Sequence, residues 1–176
     1  EEPIIKEKEE KEEKEEESFS YSQKLSADSF MNVFEYDIQI EVEYLLSLSE
    51  DFERYVDLIY TNGLQEAYLV EVTSILKKMY TTISQMPPLL KMSYIFFDLA
   101  SFLEAIDFQT LSTEQIQKLS VLEFIYEDIN KFIQLVFVEN AVQDVNYLED
   151  SLSSSVEQLK QSVLNTHIEE EEFELF

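Results

Sequence analysis

The chain has 176 residues, of which 45% are hydrophobic, so it is long enough for one domain with a sizeable core. With one Gly and three Pro it lacks the turn residues of an all-β protein, which favours helices. The net charge of −26 argues against binding to nucleic acid or an anionic membrane, so we expect a protein partner with a basic-rimmed groove.

The residue composition also limits the possible chemistry and indicates the cellular compartment and the type of organism. The chain contains no Cys, which excludes a disulfide framework, a Cys-ligated zinc site and thiol catalysis. It has no apolar run long enough to span a membrane and no visible signal peptide, so we predict a cytoplasmic protein. Lys outnumbers Arg by 11 to 1, which hints at an AT-rich bacterial genome.

Residues 1–27 are predicted to be a disordered Glu/Lys-rich arm or an interdomain linker. Residues 6–17 are all Lys or Glu, and that run contains no apolar side chain that could pack on a core. Because the chain starts at Glu1 rather than Met, a linker in this position suggests that a further domain precedes it.

The first structured region begins with a short helix, for which Asp28 or Ser29 is the predicted cap. The apolar residues of 38–46 alternate as in a strand, and they also fit a helix. No second strand is evident as a pairing partner, so we predict a helix.

A second helix start is predicted shortly afterwards. Ser47 and Glu50 have the spacing of a capping box, so a new helix is expected to begin near Leu48. Asn62-Gly63 is expected to end it, because Gly readily adopts the left-handed conformation of a helix cap.

Two further helices are predicted on either side of Pro87-Pro88, which must interrupt them. The inward residues of the helix in 64–85 are Tyr68, Val72, Ile75, Leu76, Met79 and Ile83. Those of the helix in 89–106 are Met92, Ile95, Phe96, Leu99, Phe102, Leu103 and Ile106. A loop over 107–111 follows, and its Phe108 and Leu111 are expected to close one end of the bundle.

The run Thr113–Glu139 is predicted to be the central helix. Its main apolar stripe has helical spacing and consists of Ile116, Leu119, Leu122, Tyr126, Ile129, Ile133 and Val136. A second stripe consists of Val121, Ile125 and Phe132, which indicates burial on two sides. Ser112 and Gln115 form a capping box at its start.

The last predicted helix covers residues 140–164, and we expect a bend between it and the central helix near residues 138–140. A continuous rod of the two would be about 78 Å long at 1.5 Å per residue, which is long for a globular domain. Residues 165–176 form an acidic tail. The predicted fold is therefore an all-α bundle of five or six helices over residues 28–164, with disordered acidic tails at both ends.

Two acid–amide pairs are the candidates for catalysis. Glu127 with Asn130, and Glu139 with Gln143, are each spaced by about one helical turn. An amide that orients water, beside an acid that holds a basic group of the substrate protein, can support attack on an acyl phosphate. With the helical hairpin and acidic tail, this resembles the CheZ family of response-regulator phosphatases. Glu139 with Gln143 is the nearest match to that family's Asp and Gln, four residues apart.

The C-terminal residues Phe173, Leu175 and Phe176 are the candidate partner-binding residues. They lie beyond the predicted bundle and follow an acidic spacer, a combination that suits a groove with a basic rim. The motif resembles the short peptides that bind a bacterial sliding clamp, and in character it is similar to the CheZ docking tail. The alternatives are that the tail folds back onto its own bundle or is inert.

Other patterns predict no chemistry. His167, the single histidine, precedes four Glu and is interpreted as a solvated residue. Asp144, Glu149 and Asp150 lack the alternation and the glycine of a calcium loop, so we predict no metal and no cofactor.

We therefore predict a non-enzymatic module for protein–protein interaction, an adaptor or regulator in bacterial signalling. One alternative is a response-regulator phosphatase of CheZ type. Another is a structural domain that dimerises through its long helices. The identity of the partner and the oligomeric state stay open.

Overall fold

Every regular element in the described part of the chain is helical. A computed structural model describes the backbone of residues 24–33 and 38–173, and the side chains of residues 24–33 and 39–164. The α-helices are α1 (Ala27–Val33), α2 (Ile38–Asn62), α3 (Glu66–Ile83), α4 (Leu90–Ala105), α5 (Thr113–Lys118), α6 (Leu122–Ile133) and α7 (Glu149–Phe173). The predicted all-α bundle is confirmed. Most of the predicted N-terminal arm lies outside the described residues.

The ambiguous stretch 38–46 is helical, as predicted, but the expected helix start near Leu48 is wrong. α2 runs without interruption from Ile38 to Asn62. Its buried side continues through this point, because Leu45, Leu48 and Phe52 share one face. That continuous apolar face outweighs the local capping signal. The predicted end is confirmed, since Gly63 follows α2 with a φ of 79°.

The predicted cap of the first helix is also wrong. The Oγ atom of Ser26, rather than Asp28 or Ser29, accepts a hydrogen bond from the Ser29 backbone N–H at 3.2 Å. α1 therefore begins at Ala27, one turn earlier than the alternative cap Ser29 implies.

Pro87-Pro88 separates α3 from α4, as predicted, and the two helices form an antiparallel hairpin. The two prolines lie in a 3₁₀ turn, Pro87–Leu89. The contact between α3 and α4 is the most extensive between any two helices of the described chain. The loop after α4 contains a second 3₁₀ turn, Phe108–Thr110, and Phe108 and Leu111 pack partly buried against the core, as expected.

The predicted central helix is a nearly continuous rod. α5 and α6 are joined by the 3₁₀ turn Leu119–Val121, and a π-helical turn, Gln134–Val138, follows α6. The predicted capping box of Ser112 and Gln115 is present. Both predicted stripes contribute to the core, with Ile116 and Val121 half-buried.

The predicted bend after the rod is confirmed, but the helix predicted from residue 140 is wrong in its first nine residues. Asn140 has a φ of 51°, which turns the chain, and α7 begins only at Glu149. Between them the backbone N–H of Ala27 donates to the Val142 carbonyl at 3.0 Å, and that of Val145 donates to the Leu25 carbonyl at 2.8 Å. These bonds use backbone groups that a helix would need for itself.

α7 then continues as helical backbone to Phe173, beyond the boundary predicted at residue 164. Buried apolar side chains from every α-helix except the short α5 belong to one core cluster. None of the helices in the described part of the chain combines the length and the apolarity that crossing a bilayer requires.

Gln115 connects the start of the rod to α7, and its loss should weaken the bundle. Its side chain is buried, caps α5 through Ser112, and donates from Nε2 to the Val163 carbonyl at 3.0 Å. Replacing Gln115 by Ala removes this bond and the capping bond to the Ser112 backbone N–H, so we expect the free energy of unfolding in urea to fall by about 1–3 kcal/mol. The exposed neighbour Gln117→Ala is the control, and equal effects of the two substitutions would contradict this role.

Candidate functional site

The first predicted acid–amide pair lies on α6, but its amide takes part in helix packing. Glu127 is exposed and Asn130 is half-buried. The Oδ1 atom of Asn130 accepts a hydrogen bond from the Ser49 hydroxyl of α2 at 3.0 Å. This amide oxygen is therefore engaged within the bundle rather than presented to solvent.

The second predicted pair does not share a helix face. Glu139 follows the π-helical turn, and Gln143 lies in the non-helical segment before α7. Both are exposed, but the left-handed residue Asn140 lies between them. The one-turn helical spacing inferred from the sequence is therefore wrong for Glu139 and Gln143, because the helix that would have carried both ends before them.

Tyr126 belongs to the same polar contact between α2 and α6. Its ring packs edge-on against Phe52, with the ring centroids 5.2 Å apart. Burial, reinforced by the nearby carboxylate of Glu53, raises the pKa of Tyr126 to about 12. The neutral phenol is thus the form that the folded protein favours, which suits a packing role at this interface.

Of the predicted partner-binding residues, only Phe173 has a described backbone. Phe173 is the last residue of α7, and its side chain lies outside the described residues, as do Leu175 and Phe176. Their role stays a prediction. The side chain of His167 also lies outside the described part of the chain.

Two of the three carboxylates near the start of α7, those of Asp144 and Glu149, have structural partners. The Asp144 carboxylate accepts from the backbone N–H of Asn146 at 3.0 Å, and Glu149 pairs with Lys91 at 3.3 Å. Within the described residues no group of three or more His, Cys, Asp or Glu side chains is arranged to hold a metal ion.

A groove of about 620 Å³ lies along α3. We call it the α3 groove. Tyr44 of α2 lines part of the groove. The end of α4 and the turn that follows it line another part. Its apolar lining consists of Tyr44, Leu69, Val70, Leu103, Ile106 and Phe108. Hydroxyl groups complete much of the lining, from Thr73, Ser74, Thr81 and Thr82.

Charges in the α3 groove are balanced. Lys77 forms an ion pair with Glu104, and the Glu66 carboxylate accepts from the Gln109 side chain at 3.1 Å. Lys78 also lines the groove and is exposed. The described residues provide it with no ion-pair partner, so its ammonium group is available to a bound molecule.

Two features of the sequence belong to this groove, although neither is part of the apolar periodicity from which the helices were predicted. Val70 is 61% exposed, and it lies off the inward stripe predicted for its helix. The adjacent Lys77 and Lys78 are the only neighbouring pair of basic residues in a strongly acidic chain. Neither feature indicates a cavity until α2 and α4 are placed beside α3.

We found no match to the chain among protein-family models, curated proteins or solved structures. The interpretation of the α3 groove therefore depends on its own shape and chemistry.

The raised pKa of Tyr126 predicts a loss of stability at high pH. Because the pKa rises on folding from 10.0 to about 12, the contribution of the phenol is complete below pH 10 and is lost between pH 10 and 12. Urea unfolding across this range should show wild type losing free energy of unfolding relative to Tyr126→Phe. The exposed Tyr94→Phe should instead follow wild type. Parallel curves for wild type and Tyr126→Phe would rule out this effect.

Proposed function

We propose that this protein is a non-enzymatic adaptor or regulatory module that holds a helical segment of another protein in the α3 groove. We base this proposal on the groove itself, which has an apolar lining, an exposed Val70 and an exposed Lys78. Exposed apolar surface with a polar rim is typical of sites where proteins bind one another. A cytoplasmic, bacterial setting is part of the proposal and rests on the sequence features described above.

The shape of the α3 groove favours a helix as its occupant. It extends along α3 from Glu66 to Thr82, which corresponds to about 24 Å at the rise of an α-helix. An amphipathic helix of about four turns has this length and presents its apolar side chains as one stripe. Val70, which is exposed in the groove, would contact that stripe.

Charge gives the partner a further feature. Lys78 borders the groove with no ion-pair partner among the described residues, whereas Lys77 is neutralised by Glu104. A carboxylate on the partner, placed opposite Lys78, would complete an ion pair at the rim. Such rim contacts contribute to orientation and to the rate of association more than to affinity.

The phosphatase alternative receives less support from the geometry. It needs an acid and an amide that together face a bound phosphoprotein. The Asn130 oxygen is bonded to Ser49, and Glu139 and Gln143 do not lie on one helix. We therefore do not advance this activity as a second candidate.

Substitution of Val70 by Glu tests the groove. A lysate of the source cell is passed over immobilised wild type, Val70→Glu and Val138→Glu, and bound proteins are identified by mass spectrometry. Val138 is a matched control, because it is a 48% exposed valine outside the groove. We expect at least one protein that wild type and Val138→Glu retain and Val70→Glu loses. When that protein is purified, it should bind Val70→Glu at least about tenfold more weakly than wild type. The substitution places a carboxylate against apolar surface.

The same purified partner tests the charge at the rim. Lys78→Glu should slow its association, and added salt should reduce the difference between this variant and wild type. The control is Lys131→Glu, which reverses an exposed lysine on α6. Identical sets of captured proteins for wild type and Val70→Glu would contradict a docking role of the groove.

The groove and the C-terminal tail are independent candidates for partner binding. The tail is therefore tested with a separate immobilised variant. A chain lacking Phe173–Phe176 should lose a partner if these residues dock into a basic-rimmed groove, as predicted from the sequence. Retention of every partner by this truncated chain would remove the tail from the proposal and leave the α3 groove as its basis.

A further inference from the structure

A second exposed apolar surface lies on α4, and the proposed groove does not include it. Tyr94 is 54% exposed and Phe97 is 46% exposed. Both rings contact the half-buried Tyr80 of α3, with centroid distances of 6.3 Å and 5.1 Å. Leu90 and Ser101 lie above and below them at helical spacing. We call the row formed by Leu90, Tyr94, Phe97 and Ser101 the aromatic stripe.

Each charged side chain of α4 has an ion-pair partner. Lys91 pairs with Glu149 at 3.3 Å, Asp98 pairs with Lys160 at 3.0 Å, and Glu104 pairs with Lys77. Lys160 also pairs with Glu157 of α7 at 3.2 Å, so that group of three keeps one negative charge. Lys91, Asp98 and Glu104 are the Lys, Asp and Glu residues of α4, which has no Arg. The aromatic stripe therefore has little net charge of its own, on a protein whose net charge is −26.

The opposite situation holds on α2 and α6. α2 carries six carboxylates and one Arg, and α6 carries three carboxylates and one Lys. Of these carboxylates, Asp51 alone forms an ion pair within the described residues, with Arg54 at 3.0 Å. Bringing two copies of this surface together would place like charges against each other.

We propose that the aromatic stripe binds the aromatic stripe of a second copy of this chain, so that the protein forms a two-fold symmetric dimer. In such a dimer the same surface meets itself, so a surface with a net charge would repel its own copy. The stripe avoids this repulsion because its neighbouring charges are already paired. This is the electrostatic reason for choosing a second copy of this highly acidic chain, and for choosing this face.

The residue pattern of the stripe is complementary to itself. If two copies of α4 pack antiparallel with the two-fold axis between Phe97 and Asp98, Tyr94 of one copy lies opposite Ser101 of the other. A large side chain then meets a small one at two symmetric places, and the two Phe97 rings lie near the axis. Alternation of large and small side chains is what allows helices to interdigitate closely.

The dimer should respond to salt in a characteristic direction. Two chains of charge −26 repel each other at a distance, and added salt screens this repulsion. Dimerisation is therefore expected to tighten as NaCl rises. An association that depended on attraction between opposite charges would weaken instead.

Sedimentation equilibrium of the full chain over a range of concentration and salt tests the proposal. The expected mass rises from 20.8 kDa to twice that value. Phe97→Asp should weaken dimerisation by about tenfold or more, since central aromatic residues dominate interfaces. Phe124→Asp is the matched control, because Phe124 is a 63% exposed phenylalanine on the acidic helix α6. A mass of 20.8 kDa under all conditions, or equal effects of both substitutions, would overturn the proposal.

A crosslinking measurement avoids dependence on Phe97→Asp remaining folded. The chain has no Cys, so a single introduced thiol reports one position. Ser101→Cys should be crosslinked between copies by a short bismaleimide, whereas Ser47→Cys on α2 should not. Equal crosslinking of Ser101→Cys and Ser47→Cys would overturn the proposed interface. A chain that stays monomeric and uses Phe97 to bind a different protein would overturn it too. Because the α3 groove is tested by Val70→Glu, failure of the dimer leaves that test unaffected.

Discussion

The large excess of negative charge is the constraint under which the surface of this protein is organised. Carboxylates repel one another unless cations or distance intervene, and the chain has 38 acidic residues against 12 basic ones. On α2 and α6 the acidic side chains are mostly left to solvent. On α3 and α4 the few charges are nearly balanced, and several of them form ion pairs. On the α3–α4 hairpin, apolar groups can consequently meet another protein without strong repulsion, and Val70, Tyr94 and Phe97 lie there.

The interior is held by apolar contacts, with a few polar bonds that fix how the helices align. Ser49 bonds to Asn130 between α2 and α6, and Gln115 bonds to the Val163 carbonyl between the rod and α7. A buried polar group without a partner is costly, so each bond disfavours a sliding of one helix along the other. The rigid frame that results holds α2 and α4 beside α3 and thereby defines the groove.

The helices could largely be predicted from the sequence because periodicity reports burial directly. The capping box of Ser112 and Gln115 and the glycine after Asn62 were also readable, since their geometry is local. The errors arose where a distant contact decided the outcome. Ser47 and Glu50 have the spacing of a helix start, but the apolar face of α2 continues past them. Residues 140–148 have helical periodicity, but the backbone of Leu25 and Ala27 binds them in another conformation. The groove could not be predicted, because it exists only between helices whose packing no local pattern encodes.

Oxidative footprinting by mass spectrometry tests most directly whether the α3–α4 hairpin is the contact surface. The full chain would be exposed to hydroxyl radicals in a lysate of the source cell and, separately, as a dilute purified protein. We expect Val70, Tyr94 and Phe97 to become protected in the lysate, while Tyr60 and Phe124, which are exposed on α2 and α6, stay reactive. Equal reactivity of the hairpin in both samples, or protection of Tyr60 and Phe124 instead, would contradict it.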